Sequence, residues 1–272
     1  MKAPFVAAVC LVAIAFTGVA LANPGPTSPL YLTYTVDLNG GHSIVVVQGN
    51  SLTSFAEAYG APDEVPIAVA GDVRTSGNSL TTIGGQYSLT GVPTGTTYTL
   101  TSIASTAYDS TTDGSHNYLV DYTYSTVYQT ARDFTNPVAL FTSNGPYNVG
   151  IAYDKTNNSL WISGWGATTV VTDYSMNGTV LSSFDTGHYE NGSLAMDPAT
   201  HTLWLVDDEN TFKLEQYSTA GVLLSTGPYV GYALGGEFDF GGSSPTPEPG
   251  SLILFGSGVL GLAGLVRRKL NL

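Results

Sequence analysis

One stretch of the chain repeats itself. Residues 151–184 map onto 194–227 at a shift of 43 without a gap, and 10 of the 34 aligned positions are identical. Asp154, Leu160, Trp161, Tyr174 and Gly178 return as Asp197, Leu203, Trp204, Tyr217 and Gly221. A fixed period of this length marks a fold built from copies of one unit, each covering an apolar face that its neighbour leaves open. Within the unit, four short apolar stretches (151–153, 160–163, 170–175 and 180–184) are separated by turn sequences. Asn177-Gly178 is a two-residue hairpin signal, and Asp154 opens a turn ending in Asn157-Asn158.

Four strands per roughly 40–45 residues, with an Asp and a Trp at fixed places, is the pattern of a propeller blade. Weaker copies precede it. Ala107-Tyr108-Asp109 followed by 117–120 supplies an Asp-turn-aromatic order, with Asp133-Phe134 and 138–141 as its outer strands. Residues 67–69, 86–90 and 98–100 form a further unit, and 30–36 with 44–47 another. The expected fold is all-β: a β-propeller of about five four-stranded blades over 23–240, closed by pairing of its first and last strands. Trp161 and Trp204 should occupy equivalent places and pack between sheets.

The Asp-turn-Trp landmarks, with Asp197-Pro198 and Trp204 beside Asp154 and Trp161, resemble those of NHL-like and YVTN-type propeller repeats. The basic residues often found in the third strand of NHL repeats are missing here. Charge argues the same way. The chain has 8 Lys and Arg against 21 Asp and Glu. Between 23 and 246 only Arg74, Arg132, Lys155 and Lys213 are basic against twenty acids, a net of −16. A nucleic-acid partner needs a basic face, so none is expected.

The two ends read as addresses. Residues 1–22 have the plan of a secretory signal peptide: Lys2, an apolar run, then Ala20 and Ala22 at the positions a signal peptidase accepts, with cleavage before Asn23. The single cysteine, Cys10, lies inside that run, so the mature chain has no thiol for disulfides, zinc or nucleophilic catalysis. At the other end a Gly/Ser/Pro linker (241–246) leads to Pro247-Glu248-Pro249. An uncharged stretch follows over 250–266, just long enough for a single transmembrane helix, and then Arg267-Arg268-Lys269. This three-part tail (247–272) resembles the PEP-CTERM sorting signal of exosortase substrates. The resemblance implies a Gram-negative cell, passage through the Sec translocon, and transient residence in the inner membrane. Cleavage by an exosortase near Pro247, Glu248 and Pro249 would then release the protein to the cell surface or matrix.

Candidate contacts are fewer. Trp165, between Gly164 and Gly166, and the tip Asp207-Asp208-Glu209 follow the second strand of adjacent units and should emerge on one side of the disc. Trp165 either offers a stacking platform for sugar rings or fills the central channel. The acids either gather a cation or form a solvated turn, the favoured reading. Asp109 and Asp113 have a superficial likeness to a calcium loop but lack its distant Glu, so an Asx-capped turn is expected. His42, His116, His188 and His201 show no zinc spacing. No cofactor is implied beyond a divalent cation such as calcium. Two readings follow. The first is a non-enzymatic envelope or matrix module touching extracellular polysaccharide. The second is a secreted hydrolase or lyase with a metal at the propeller mouth, for which His42, His116, His188, Asp207 and Glu209 would have to converge.

Overall fold

Among the described residues twenty strands, four to a sheet, form five blades. Blade 1 contains β1 (Leu30–Val36), β2 (His42–Gln48) and β3 (Ser51–Ala56). Blade 2 runs β4 (Glu64–Val69), β5 (Val73–Gly77), β6 (Ile83–Tyr87), β7 (Pro93–Thr99). Blade 3 runs β8 (Ser110–Thr112), β9 (His116–Val120), β10 (Thr126–Ala131), β11 (Val138–Thr142). Blade 4 is β12 (Asn148–Asp154), β13 (Ser159–Gly164), β14 (Val170–Ser175), β15 (Val180–Asp185). Blade 5 is β16 (Asn191–Asp197), β17 (Thr202–Asp207), β18 (Lys213–Ser218), β19 (Leu223–Tyr229). The last strand, β20 (Gly235–Phe238), returns to pair antiparallel with β1, Leu30 opposite Phe238 and Thr33 opposite Gly235. The ring is thus closed by its two ends, as the sequence led us to expect.

This computed structural model describes residues 25–36, 42–60, 63–100, 103 and 105–241. The signal peptide with Ala20, Ala22 and Asn23 lies outside them. So does the tail with Pro247, Glu248, Pro249, the expected span, Arg267, Arg268 and Lys269. Among the described residues no helix is long and apolar enough to cross a membrane.

Burial falls from the axis to the rim. The inner strands β4, β8, β16 and β20 are buried at every residue, whereas β3, β11 and β15 are mostly exposed. Small residues let the inner strands approach. A Cβ at Gly235 would collide with Thr33 and the Val65 carbonyl, and one at Gly236 would lie 2.8 Å from the Ser193 Cβ. Between blades the core is apolar. Trp161, 1% exposed, packs with Phe184, Met196 and Leu203 between blades 4 and 5. Trp204, 2% exposed, packs with Leu30, Val47 and Phe238 between blades 5 and 1.

The landmark aspartates cap turns and also tie blades. The Asp154 carboxylate accepts the Thr156 N–H (2.8 Å) and meets His201 Nε2 of the next blade at 2.9 Å. Asp197 accepts the Ala199 N–H at 2.8 Å. His201 and Asn158 both hold left-handed backbone (φ 55° and 50°) at equivalent turn positions.

Blade 3 departs from the sequence reading. Its third strand is β10, not Asp133-Phe134, and Phe134 sits in a turn with φ 61°. The landmark Asp is Asp113, whose Oδ1 accepts the N–H groups of Ser115 and His116 (both 2.7 Å). Asp109 has a different place. Fully buried on the axis, its Oδ1 accepts the N–H of Ser110 (2.8 Å) and Gly236 (3.0 Å). Its Oδ2 accepts those of Ile151 (3.1 Å) and Leu194 (3.3 Å). One carboxylate therefore joins the inner strands of blades 3, 4, 5 and 1.

Candidate functional site

The inner strands begin on one face of the disc, and the segments leading into them carry aromatic residues. Tyr108 precedes β8, Tyr147 precedes β12, and Tyr232 lies shortly before β20. Tyr122 follows β9 and Trp165 follows β13 on the same face. Together Tyr108, Tyr122, Trp165 and Tyr232 surround a bowl of about 160 Å³ over the apolar side chains of Val149 and Leu234. Its rings interlock edge to face: Tyr108–Tyr122 at 5.1 Å and 89°, Trp165–Tyr232 at 5.2 Å and 70°. Tyr147 leans on Tyr122 at 5.1 Å.

Backbone bonds hold this rim across the blades. The Tyr147 N–H donates to the Tyr122 carbonyl (2.9 Å), and the Trp165 N–H to the Tyr147 carbonyl (2.8 Å). Gly166 donates to Tyr189 (2.6 Å), and Asp208 to Glu190 (3.0 Å). Burial raises the Tyr122 hydroxyl above its ordinary value, with Tyr108, Tyr147 and Glu190 adding to the shift. It remains a neutral phenol. Such a surface offers ring faces and hydroxyl donors at one place, the combination that receives the apolar faces and hydroxyl edges of a sugar.

Trp165 resolves between the two sequence readings. It is half-buried, forms part of the bowl wall and packs against the buried cluster of Val65, Val149 and Leu234. The Asp207-Asp208-Glu209 tip is not the solvated turn expected. Asp207 and Asp208 are buried. Asp207 caps its own turn, accepting the N–H groups of Glu209 (3.2 Å), Asn210 (3.1 Å) and Thr211 (3.0 Å). Asp208 accepts the Ala233 N–H at 3.2 Å, and burial raises its carboxyl well above the usual range. Exposed Glu209 accepts the Tyr189 N–H at 2.7 Å.

The five expected metal-site residues do not meet as a group. His42 lies in β2 and His116 in β9, paired with Asp113 at 3.5 Å. His188 does approach Asp207 (Nδ1 to Oδ1, 3.5 Å), but its Nε2 faces Glu215 Oε2 at 3.2 Å, not Glu209. These three could share a cation. The imidazole stands between the two carboxylates. Glu215 also accepts the Tyr217 hydroxyl at 2.6 Å.

The sequence reading missed Tyr108, Tyr122, Tyr147 and Tyr232. A usable signal was present: Tyr108, Tyr147, Tyr189 and Tyr232 recur at steps of 39, 42 and 43, each just ahead of an inner strand.

Residues 245–269 match the PEP-CTERM protein-sorting motif. The chain carries a PEP-CTERM sorting signal. A PEP-CTERM protein is exported by the Sec route in a Gram-negative bacterium, anchored in the membrane and processed by an exosortase. No curated protein matches this chain in sequence. Among solved structures it is similar to a chain in the crystal structure of a nidogen/laminin complex (TM-score 0.54, 14% identity). That alignment covers 79% of this chain and 99% of the other. A virginiamycin B lyase from Staphylococcus aureus aligns at TM-score 0.45 and 16% identity, over 74% of this chain and 70% of the lyase. A glutaminyl cyclase from Myxococcus xanthus aligns at 0.46 and 15%, over 67% and 74%. The nidogen/laminin likeness is one of propeller fold, and fold alone assigns no activity.

Proposed function

We propose that this PEP-CTERM protein is a non-enzymatic binding module of the cell surface or extracellular matrix, and that its axial bowl holds an uncharged, hydroxyl-rich polymer of the polysaccharide class. The observation that carries the reading is the convergence of Tyr108, Tyr122, Trp165 and Tyr232 around one mouth. Net charge supports it, because a domain at −16 repels anionic chains and leaves neutral ones unhindered. The test is intrinsic fluorescence of the mature domain titrated with neutral polysaccharide from the producing cell's matrix. Binding should shift the Trp emission, and Trp165→Ala should abolish the shift and weaken retention on the polymer. A wild type that neither shifts nor is retained overturns the reading.

The mature domain in this reading spans 23–240, with 241–246 as tether. Signal peptidase acts after Ala22, and exosortase acts near Pro247-Glu248-Pro249. Intact mass of the native protein tests both ends. A product keeping residues 250–272 would make the tail a permanent anchor.

One observation favours a second reading, a metal-dependent hydrolase or lyase: the His188, Asp207 and Glu215 cluster. Metal analysis of protein purified without chelator separates the two, since stoichiometric metal lost on His188→Ala would favour the enzyme.

A further inference from the structure

A second concavity adjoins the bowl. It measures about 300 Å³ and is lined by Asn144, Gly145, Asn148, Thr168, Tyr174 and Ser183, among others. Its lining is rich in amide and hydroxyl groups, where the bowl is rich in rings. The chain passes from one lining to the other twice. Consecutive residues Asn148 and Val149 face one concavity each, and the turn after β13 places Trp165 in the bowl and Thr168 in the groove.

Tyr147 lies in the chain between Gly145 of the groove and Val149 of the bowl. Its backbone is left-handed (φ 61°), a conformation that costs a side-chain-bearing residue roughly 1–2 kcal/mol. The Tyr122 carbonyl and the Trp165 N–H, bonded to its N–H and carbonyl, hold it there. The residue remains 45% exposed while its ring leans on Tyr122. A strained residue displaying an aromatic face between segments of two linings is a place where the backbone serves contact rather than stability.

Size decides what kind of ligand fits. The bowl alone falls below the ~300–1,000 Å³ of sites that enclose a small molecule, and the groove only reaches the lower limit. A single ring in the bowl would leave the groove and Tyr147 unused.

We infer that bowl, Tyr147 ring and groove are successive subsites for one extended neutral oligosaccharide, with Tyr147 as the stacking platform where the chain crosses from blade 3 to blade 4. This rests on the polysaccharide reading of the bowl and adds a length requirement to it. In the groove the exposed Asn144 amide and the Thr168, Thr172 and Ser183 hydroxyls are placed to meet sugar hydroxyls, while the Asn148 amide is spent on Ser143 and the Gly145 carbonyl. The groove's lining contains no Asp, Glu, His, Lys or Arg, which suits an uncharged chain.

The experiment is calorimetry on the mature domain with neutral glucan, mannan and galactan oligomers of one to six units. For the series that binds, affinity should rise at least tenfold between two and four units and then level off. Ser183→Arg, at an exposed groove position, should remove that rise and leave binding of the short oligomers unchanged. Tyr147→Ala should weaken the four-unit ligand about tenfold, and Tyr147→Phe should restore it. Equal affinity at one and four units, or Ser183→Arg without effect on the longer ligands, overturns the subsite inference while the bowl reading stands. No binding at any length in all three series overturns both.

Discussion

Replacing Asp109 tests what holds the ring shut at its centre. Asp109→Ala would strip the acceptors from three N–H groups that belong to other blades, those of Ile151, Leu194 and Gly236. Each is buried, and an unpaired buried donor costs about 1–3 kcal/mol, so the three together amount to about 3–9 kcal/mol. One term opposes this. Burial raises the Asp109 carboxyl well above its ordinary value, which means that holding it there is itself unfavourable, and truncation removes that burden. The net should fall in the lower half of the range, about 3–5 kcal/mol, against a typical total of about 5–15 kcal/mol for a domain. Urea unfolding of the mature domain, followed by Trp fluorescence, measures it as a fall in midpoint at constant slope. Asp109→Asn separates hydrogen bonding from volume. It keeps the shape but turns one acceptor into a donor facing two N–H groups, so it too should be destabilised. A loss below about 1 kcal/mol for both variants would refute the argument, because it would mean that the N–H groups find other partners without the carboxylate.

Other perturbations read out other parts of the molecule. Trp161→Ala, at a fully buried site between blades 4 and 5, should cost about 3–5 kcal/mol in the same assay, whereas Val180→Ala on the exposed edge should cost less than about 0.5. Burial pushes Glu237 up to about 8, and burial with Glu64 and Asp63 does the same to Glu57. Both keep their protons in the folded chain after the unfolded chain has lost them. Stability should therefore be full below about pH 4.5 and fall by up to about 1.4 kcal/mol per pH unit for each group as pH rises toward 8. Asp113, Asp133 and Asp207, lowered by their hydrogen bonds, titrate below that window. Unfolding midpoints flat from pH 4.5 to 8 would count against this. A chain ending at Leu234 should lack the far-ultraviolet β signal and cooperative unfolding that a chain ending at Gly241 keeps, because only the longer one supplies β20 to blade 1.

Periodicity made blades 4 and 5 legible to within three residues, since Asp, Trp and Gly recur there at one spacing and each has one physical role. Blade 3 was harder to read because Asp109 and Asp113 stand four residues apart. Both are acidic, but only Asp113 caps the hairpin. The one on the axis is defined by donors from positions 151, 194 and 236, which no local pattern brings together. The strands at 73–77 and 126–131 passed unnoticed for a related reason. They are rich in Thr, Ser and Gln, so neither shows the apolar run of its neighbours, although 73–77 is largely buried and 126–131 half-buried. At the site, Trp165 stood out by its flanking glycines. Its ring partners did not, because tyrosine is common throughout this chain.

The strand that closes the ring lies almost at the end of the chain, a few residues before the sorting motif. During export the chain crosses the membrane from its N-terminus. Strands β1 to β3 therefore arrive outside first and wait, with the inner edge of β1 open, while nearly two hundred further residues follow. The ring is completed only when 235–238 has passed, and by then the retention signal is entering the translocon behind it. Folding and tethering thus coincide in time. A copy whose synthesis stops early would lack both the last strand and the handle by which the processing enzyme takes hold, so truncated chains would be excluded from sorting without any separate inspection step.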